Sequence, residues 1–409
     1  MIASLFAGIS GLNANASAMR AIGDNIANVN TTAFKGSSMS FANILSASLE
    51  GAIDDGVGRG AGIWGVEPSW SQGALENTGD PLDLAMNGKG FFIVKDDEGS
   101  SYYTRAGQFH FDERGYLINP DGLRIQGYEV DSSGNLGPVA DIFIPGERMG
   151  QPSATTEFSF DINLSADAVA GDTYTTSQIV YDSLGKAVAL TLTFTNTAPG
   201  QWDVAASVPS SAGGPVTING GASIPLTFDA NGELTSPAAD AALNITLTNS
   251  ATSPQTITWD IYDALGNNLG DMTGYAGPST TTFQYQNGYP SGVLRDISIG
   301  EDGMVTAYYS NGQLVPYYQI ALADFPSYHG LTKMGNNLYA ESLASGQPLV
   351  GTAGTGRLGD ISPSSLEMSN VDLAQEFVKL ITTQRAYQAN SRVITASDEM
   401  LAELMNIKR

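Results

Sequence analysis

IASLFAGISGLNANASAMRAIGDNIANVNTTAFK, residues 2–35, decides the reading of the chain. Apolar residues recur in it at intervals of seven. Leu5, Leu12, Met19 and Ile26 form one row; Ile2, Ile9, Ala16 and Gly23 form a second, shifted by three. Two such rows meet on one side of an α-helix and make an a/d seam. Ser10, Asn13, Asn15, Ser17 and Arg20, between the rows, are small or polar. At roughly 1.5 Å per residue the helix reaches about 40 Å. No second helix follows it closely in sequence, so the seam needs a partner from far along the chain or from another molecule.

Residues 369–409 offer that partner. Leu373, Leu380, Tyr387, Ile394 and Leu401 repeat every seven residues, and Phe377, Val378, Ile381, Val393 and Met405 widen the stripe. Ser369 followed by Asp372 resembles a capping box with a short acid. The spacing therefore predicts two long terminal helices, 1–32 and 366–409, paired in a coiled-coil-like inner domain. Its expected packing residues are Ile2, Leu5, Ile9, Leu12, Met19, Ile26, Leu373, Phe377, Leu380, Tyr387, Ile394 and Leu401. The alternative, two surface helices on a globule, calls for a wider stripe and short loops into further helices.

The totals narrow the class. The 409 residues favour two or three domains, and 47 glycines with few charged residues indicate a turn-rich β protein between the helices. A net charge of −24 argues against nucleic acid and anionic membrane surfaces as partners. There is no cysteine, hence no disulfide framework and no thiol nucleophile. The first basic residue is Arg20, so no cleavable secretory signal is expected, and no apolar run approaches a membrane span.

Residues 33–65, with 359–365, read as an extended connector of limited packing. Strand signals then run through 91–94, 102–104, 109–111, 116–118 and 124–130, separated by turn pairs such as Arg114-Gly115 and Asp121-Gly122. The same texture returns at 305–309, 315–322 and 337–339, so 66–148 and 291–358 are expected to fold together as a middle β domain. Between Arg148 and Arg295 the single base is Lys186 against twelve carboxylates, a local balance of −11. Alternation there is clear at Phe158, Phe160, Ile162 and Leu164 and at Val188, Leu190, Leu192 and Phe194. Residues 149–290 therefore read as an outer acidic β domain inserted into the other, both mainly antiparallel. Within it, Val180-Tyr181-Asp182-Ser183-Leu184-Gly185 is echoed by Ile261-Tyr262-Asp263-Ala264-Leu265-Gly266, two similar hairpin turns set by Asp and Gly.

Catalytic chemistry finds no foothold. His110 and His329 are far apart and read as surface residues, and no clustered His or Cys suggests zinc. Residues 351–356 have P-loop spacing, but Arg357-Leu358 stands where Lys-Ser/Thr is needed. Asp131-Ser132-Ser133-Gly134 starts like a calcium loop, yet Ile142 occupies the closing position. No enzyme, cofactor or metal is expected.

Residues 22–35, IGDNIANVNTTAFK, resemble the N-terminal signature of the bacterial flagellar rod and hook proteins. SNVDL at 369–373 and QRAYQANS at 384–391 are similar to that family's C-terminal signature. SQG at 71–73, GDPLDL at 79–84, GFF at 90–92, YTRAG at 103–107, GNNL at 335–338 and SGQP at 345–348 continue the likeness. The signature positions are Asn25, Asn28, Asn30, Thr31, Phe34, Lys35, Gln384, Arg385, Ala386 and Tyr387. Ala33 departs from it, since members often carry glycine there; a left-handed backbone at that point would strain an alanine. Length and the acidic insertion set the chain with longer members rather than with the distal rod type.

The resemblance implies an extracellular structural subunit, exported without a cleavable signal by the flagellar type III apparatus. It implies a flexible helical tube of identical copies that passes motor torque from rod to filament. The implied partners are further copies, the distal rod protein, the hook–filament junction protein and the hook cap, with no nucleic acid and no membrane insertion. Another axial protein, or a secreted β-rich adhesin whose helices oligomerise, are the rival readings.

Overall fold

In a computed structural model the protein is described over residues 2–44, 60–131, 133–145, 149–262 and 270–407. The turn at 263–266, the tip of the connector at 45–59 and the side chains of Ile2 and Met405 lie outside the described residues. Among the described residues two α-helices, α1 (Ile2–Ala27) and α2 (Leu373–Ile407), bracket strands, turns and one short 3-10 turn at Tyr328–Gly330. It divides into two compact units: residues 1–146, 297–307 and 314–409 in the first, residues 147–296 and 308–313 in the second.

The connector differs from its expected form. After α1 the chain makes β1 (Ser37–Asn43), which pairs antiparallel with β2 (Ala61–Pro68) from Ser37↔Pro68 to Asn43↔Ala61. The hairpin lies on α1, where Ala61 N donates to Ser10 Oγ at 3.2 Å. Residues 33–36 are largely buried, Lys35 among them. A charged side chain in so short a run masked its burial. On the return side, Asp360–Pro363 pairs with β4 (Leu84–Asn87), and Ser365–Glu367 pairs with β3 (Leu75–Asn77). The connector is thus part of the first unit's fabric.

At the centre of that unit is β5 (Phe91–Lys95), whose first four residues are buried on both faces. It pairs with β6 (Ser101–Thr104), with Arg124–Val130 and with Leu322–Asp324. A strand covered on both faces reads as a continuous apolar run, as Phe91-Phe92-Ile93-Val94 does. Phe91, Tyr103, Phe325 and Tyr339 form one cluster, with Trp70 and Tyr328 packed edge-on to Phe91.

The second unit is a two-layer β structure. One sheet runs Thr173–Tyr181, Ala187–Ala198, Gln201–Ser207, Ser223–Phe228, Leu234–Ser236, all antiparallel. In the other, Glu157–Asn163 pairs antiparallel with Thr280–Gln286 but parallel with Gln255–Trp259 and Met272–Thr273. The alternating residues Phe158, Phe160, Leu190, Leu192 and Phe194 all enter one core with Trp202 and Trp259.

One turn recurs in both units. Asp96, Asp112, Asp131, Asp182 and Asp229 each accept from the backbone N–H two and four residues on, and a glycine three residues on takes φ between 79° and 96°. These bonds to the ionised form hold Asp131 and Asp229 below the usual carboxylate range. The loop at Asp131 that resembles the start of a calcium site is one of these turns, and its second carboxylate oxygen accepts from Asn135 Nδ2.

Candidate functional site

The two helices run antiparallel. Ser4 Oγ lies 3.3 Å from Ser397 Oγ, and Asn25 Nδ2 donates to Glu376 Oε2 at 3.1 Å near the other end. A Cβ on Gly8 would stand 3.0 Å from Ile394 Cγ1, and one on Gly11 2.6 Å from Asn390 Nδ2. The buried face of α1 is Gly8, Ala14, Ala18, Ile22 and Asn25. Within the chain, then, the seam of α1 falls one residue, about 100° of rotation, away from the expected rows. Leu5, Leu12, Met19 and Ile26 are half-buried, and Ile9 and Phe6 are exposed. The physical reason is backbone approach: small residues let the helices close on one another, and leucines do not fit there.

On α2, Leu380, Ile394 and Leu401 are half-buried at the expected spacing. The row beside them is polar: Glu376 and Ser397 are buried, and Thr383 and Asn390 half-buried. Leu373, Phe377, Val378, Ile381, Tyr387 and Val393 are exposed. So are Gln384, Arg385 and Ala386. Asp372 alone caps α2, accepting from Ala374 N at 2.8 Å; Ser369 instead bonds Val371 N.

Where the helices join the β body, the chain ends are clasped together. Lys35 Nζ lies 2.6 Å from Glu367 Oε1, and both side chains are fully buried. Lys35 also donates to Ser71 O at 2.9 Å. Glu367 accepts from Gly73 N at 2.9 Å and pairs with Arg105 Nη1 at 3.4 Å. Arg105 donates to Gly88 O and lies over the Phe91 ring at 5.4 Å. Burial pushes the Lys35 ammonium down; Glu367 opposes that shift, and Arg105 adds to it. Gly73 is required by proximity, because a Cβ there would meet Met368 O at 1.9 Å.

Amides complete the clasp. Asn370 Oδ1 accepts from Gly36 N at 2.9 Å while its Nδ2 donates to Ser69 O and Ser71 O. Asn25 Oδ1 accepts from Ser37 N at 2.8 Å. Asn28 bonds Asp24 O and Thr31 Oγ1, closing the last turn of α1, and Phe34 is half-buried beside it. Asn30 is exposed. Ala33 adopts φ 57°, and its N–H donates to Glu367 O at 2.7 Å. The signature residues thus divide: Asn25, Asn28, Thr31, Phe34 and Lys35 serve the clasp or the turn into it, whereas Gln384 to Tyr387 face outward. Sequence reasoning missed Glu367, Asn370 and Glu376 and gave Arg105 no role. Arg105 lies within YTRAG and Asn370 within SNVDL; no periodicity marks Glu367.

Comparison with known proteins places this arrangement. Residues 5–35 match the flagella basal body rod protein family. Residues 85–169 match the flagellar hook protein FlgE/F/G D1 domain, residues 152–289 the flagellar basal body protein FlaE D2 domain, and residues 362–407 the flagellar basal body rod FlgEFG protein C-terminal family. Terminal helices clasped to a β body, with these four segments in this order, define a flagellar axial protein. The chain is 33% identical to the flagellar hook protein FlgE of Treponema pallidum, covering 100% of both. It is 35% identical to those of Salmonella typhimurium and Escherichia coli, covering 98% of each chain. It belongs to the flagellar hook protein FlgE family, structural components of the flagellum. Among the described residues no helix is long and apolar enough to cross a membrane.

Proposed function

We propose that this chain polymerises with copies of itself into the hook tube, which carries motor torque from rod to filament. The observation that carries this reading is the outward face of the helix pair. Leu373, Phe377, Val378, Ile381 and Val393 of α2, with Phe6 and Ile9 of α1, are exposed in the single chain. Large apolar side chains left exposed on both helices, four of them within residues 373–381, on a chain of net charge −24 are suited to cover by the same surface of other copies. Under this reading the paired helices form the inner layer of the tube, and the acidic unit, 149–290 in its expected bounds, faces outward. The expected packing residues Ile2, Leu5, Ile9, Leu12, Met19 and Ile26 then act between copies. Under this reading the type III export apparatus carries the chain out of the cell, where the distal rod protein, the hook–filament junction protein and the hook cap are its partners.

The test is Phe377→Asp with Val378→Asp in the full chain. Electron microscopy and pelleting are expected to show no tubes, while far-UV circular dichroism retains the β signal. Tubes of ordinary length from this variant would overturn the reading.

A further inference from the structure

We infer that the clasp imposes an order on folding: the C-terminal segment 364–372 docks on the β body first, and the N-terminal segment 33–37 docks only onto it. The hydrogen bonds point one way. Glu367 sits on the body by pairing with Leu75, by Gly73 N and by Arg105; Met368 N donates to Ala74 O at 2.8 Å, and Asn370 reaches Ser69 O and Ser71 O. None of these involves the N-terminal segment. That segment, by contrast, leans on its partner. Ala33 N donates to Glu367 O, Lys35 to the Glu367 carboxylate, and Gly36 N to Asn370 Oδ1. Its direct links to the body run through Ser71 O, Ser69 N, the Ser37↔Pro68 pairing, Lys333 Nζ on Ser37 Oγ and, one residue earlier, the Asn337 amide on Thr32 O, and none of these brings a negative charge to Lys35.

Charge then makes the order strict. Arg105 with Glu367 is a buried neutral pair, and Lys35 can join it. Lys35 with Arg105 and no Glu367 is two buried cations without an anion among the described residues, and burying unpaired charge is the costliest arrangement available to a protein interior. Residue 35 therefore stays undocked until residue 367, near the far end of the chain, is in place. This holds for a chain on its own and does not rest on the assembly proposed above.

Hydrogen–deuterium exchange on the full chain tests the order, read in solution and, where the chain self-associates, in the pellet. In Glu367→Gln, exchange in 31–38 is expected to accelerate roughly 100-fold or more, the consequence of stranding buried cations. In Lys35→Met, residues 364–369 are expected to change by less than about threefold, since the remaining pair is neutral. The double variant Lys35→Met/Glu367→Gln is expected to recover at least about tenfold protection in 31–38 over Glu367→Gln, because one of the stranded charges is gone. That recovery separates the charge argument from general loss of structure. Equal release of both segments by either single variant, no recovery in the double variant, or unprotected 31–38 in the unmodified chain in both states would each overturn the inference.

Discussion

Lys35 Nζ and Glu367 Oε1 are 2.6 Å apart although 332 residues separate them, and water reaches neither side chain. Breaking a buried ion pair from one side leaves an uncompensated charge in the interior, at a cost of ~3–5 kcal/mol. Glu367 serves two cations and the Gly73 N–H, so its loss is the severe one. Glu367→Gln is expected to lower the stability of the first unit by about that amount in denaturant melts. The transition of the acidic unit, whose core is its own, is expected to stay where it was. A loss below ~1 kcal/mol would mean that Lys35 and Arg105 find other partners.

Ala33 holds a left-handed backbone at φ 57° and is almost wholly buried. The left-handed conformation costs an alanine ~1–2 kcal/mol, which a glycine would relieve. Against that, glycine loses ~0.5–1 kcal/mol in unfolded-state entropy, and the buried methyl group is worth ~0.8 kcal/mol. The opposed effects nearly cancel. Ala33→Gly is therefore expected to shift stability by less than ~1 kcal/mol in either direction, which explains how the chain tolerates alanine here. A gain well beyond that in thermal melts would show that the methyl contributes nothing.

Local signals were legible in sequence, and pairings across hundreds of residues were not. The strand at 124–130 and the buried run at 91–94 stand in their expected places because alternation, apolar runs and Asp-x-x-Gly turns act over a few residues. Both terminal helices were legible for the same reason. The clasp was not: Glu367 is one of 42 carboxylates, and its burial depends on Lys35, Gly73 and Arg105, which only the fold brings together. The connector misled for a related reason, since its short runs show no period although β1 pairs along its whole length with β2.

The aromatic cluster around Phe91 sets an alkaline limit. Burial raises the Tyr103 phenol to about 12, helped by nearby Glu341, and burial raises Tyr339 to about 12. Tyr328 is raised as well, by burial and its bond to Asp324. An unfolded tyrosine loses its proton near ~10, so between that pH and 12 the folded state binds more protons than the unfolded one. Stability from this cluster is then fully present below pH ~10 and is lost as pH rises toward 12. Equilibrium unfolding of the first unit against pH is expected to fall steeply in that window. Tyr339→Phe is expected to soften the fall, and an unchanged slope would remove the phenol from the cause.

The position of the helix seam can be decided by two substitutions. If the seam of α1 is the small-residue face, Gly8→Leu forces a side chain against Ile394 Cγ1 and Asn390 O, where a Cβ alone would already be within 3.0 and 3.4 Å. Overpacking of that kind costs ~1–3 kcal/mol, more than the ~1 kcal/mol of helix propensity that leucine gains over glycine. Leu12→Ala removes a half-buried side chain and is expected to cost under ~1 kcal/mol, where a leucine at the centre of a seam would cost ~2–5. Exchange in 390–401 is the measurement in the single chain. Gly8→Leu is expected to accelerate it and Leu12→Ala to leave it nearly unchanged. The reverse ranking would return the intramolecular seam to the leucine row and leave the glycine face for contacts between copies.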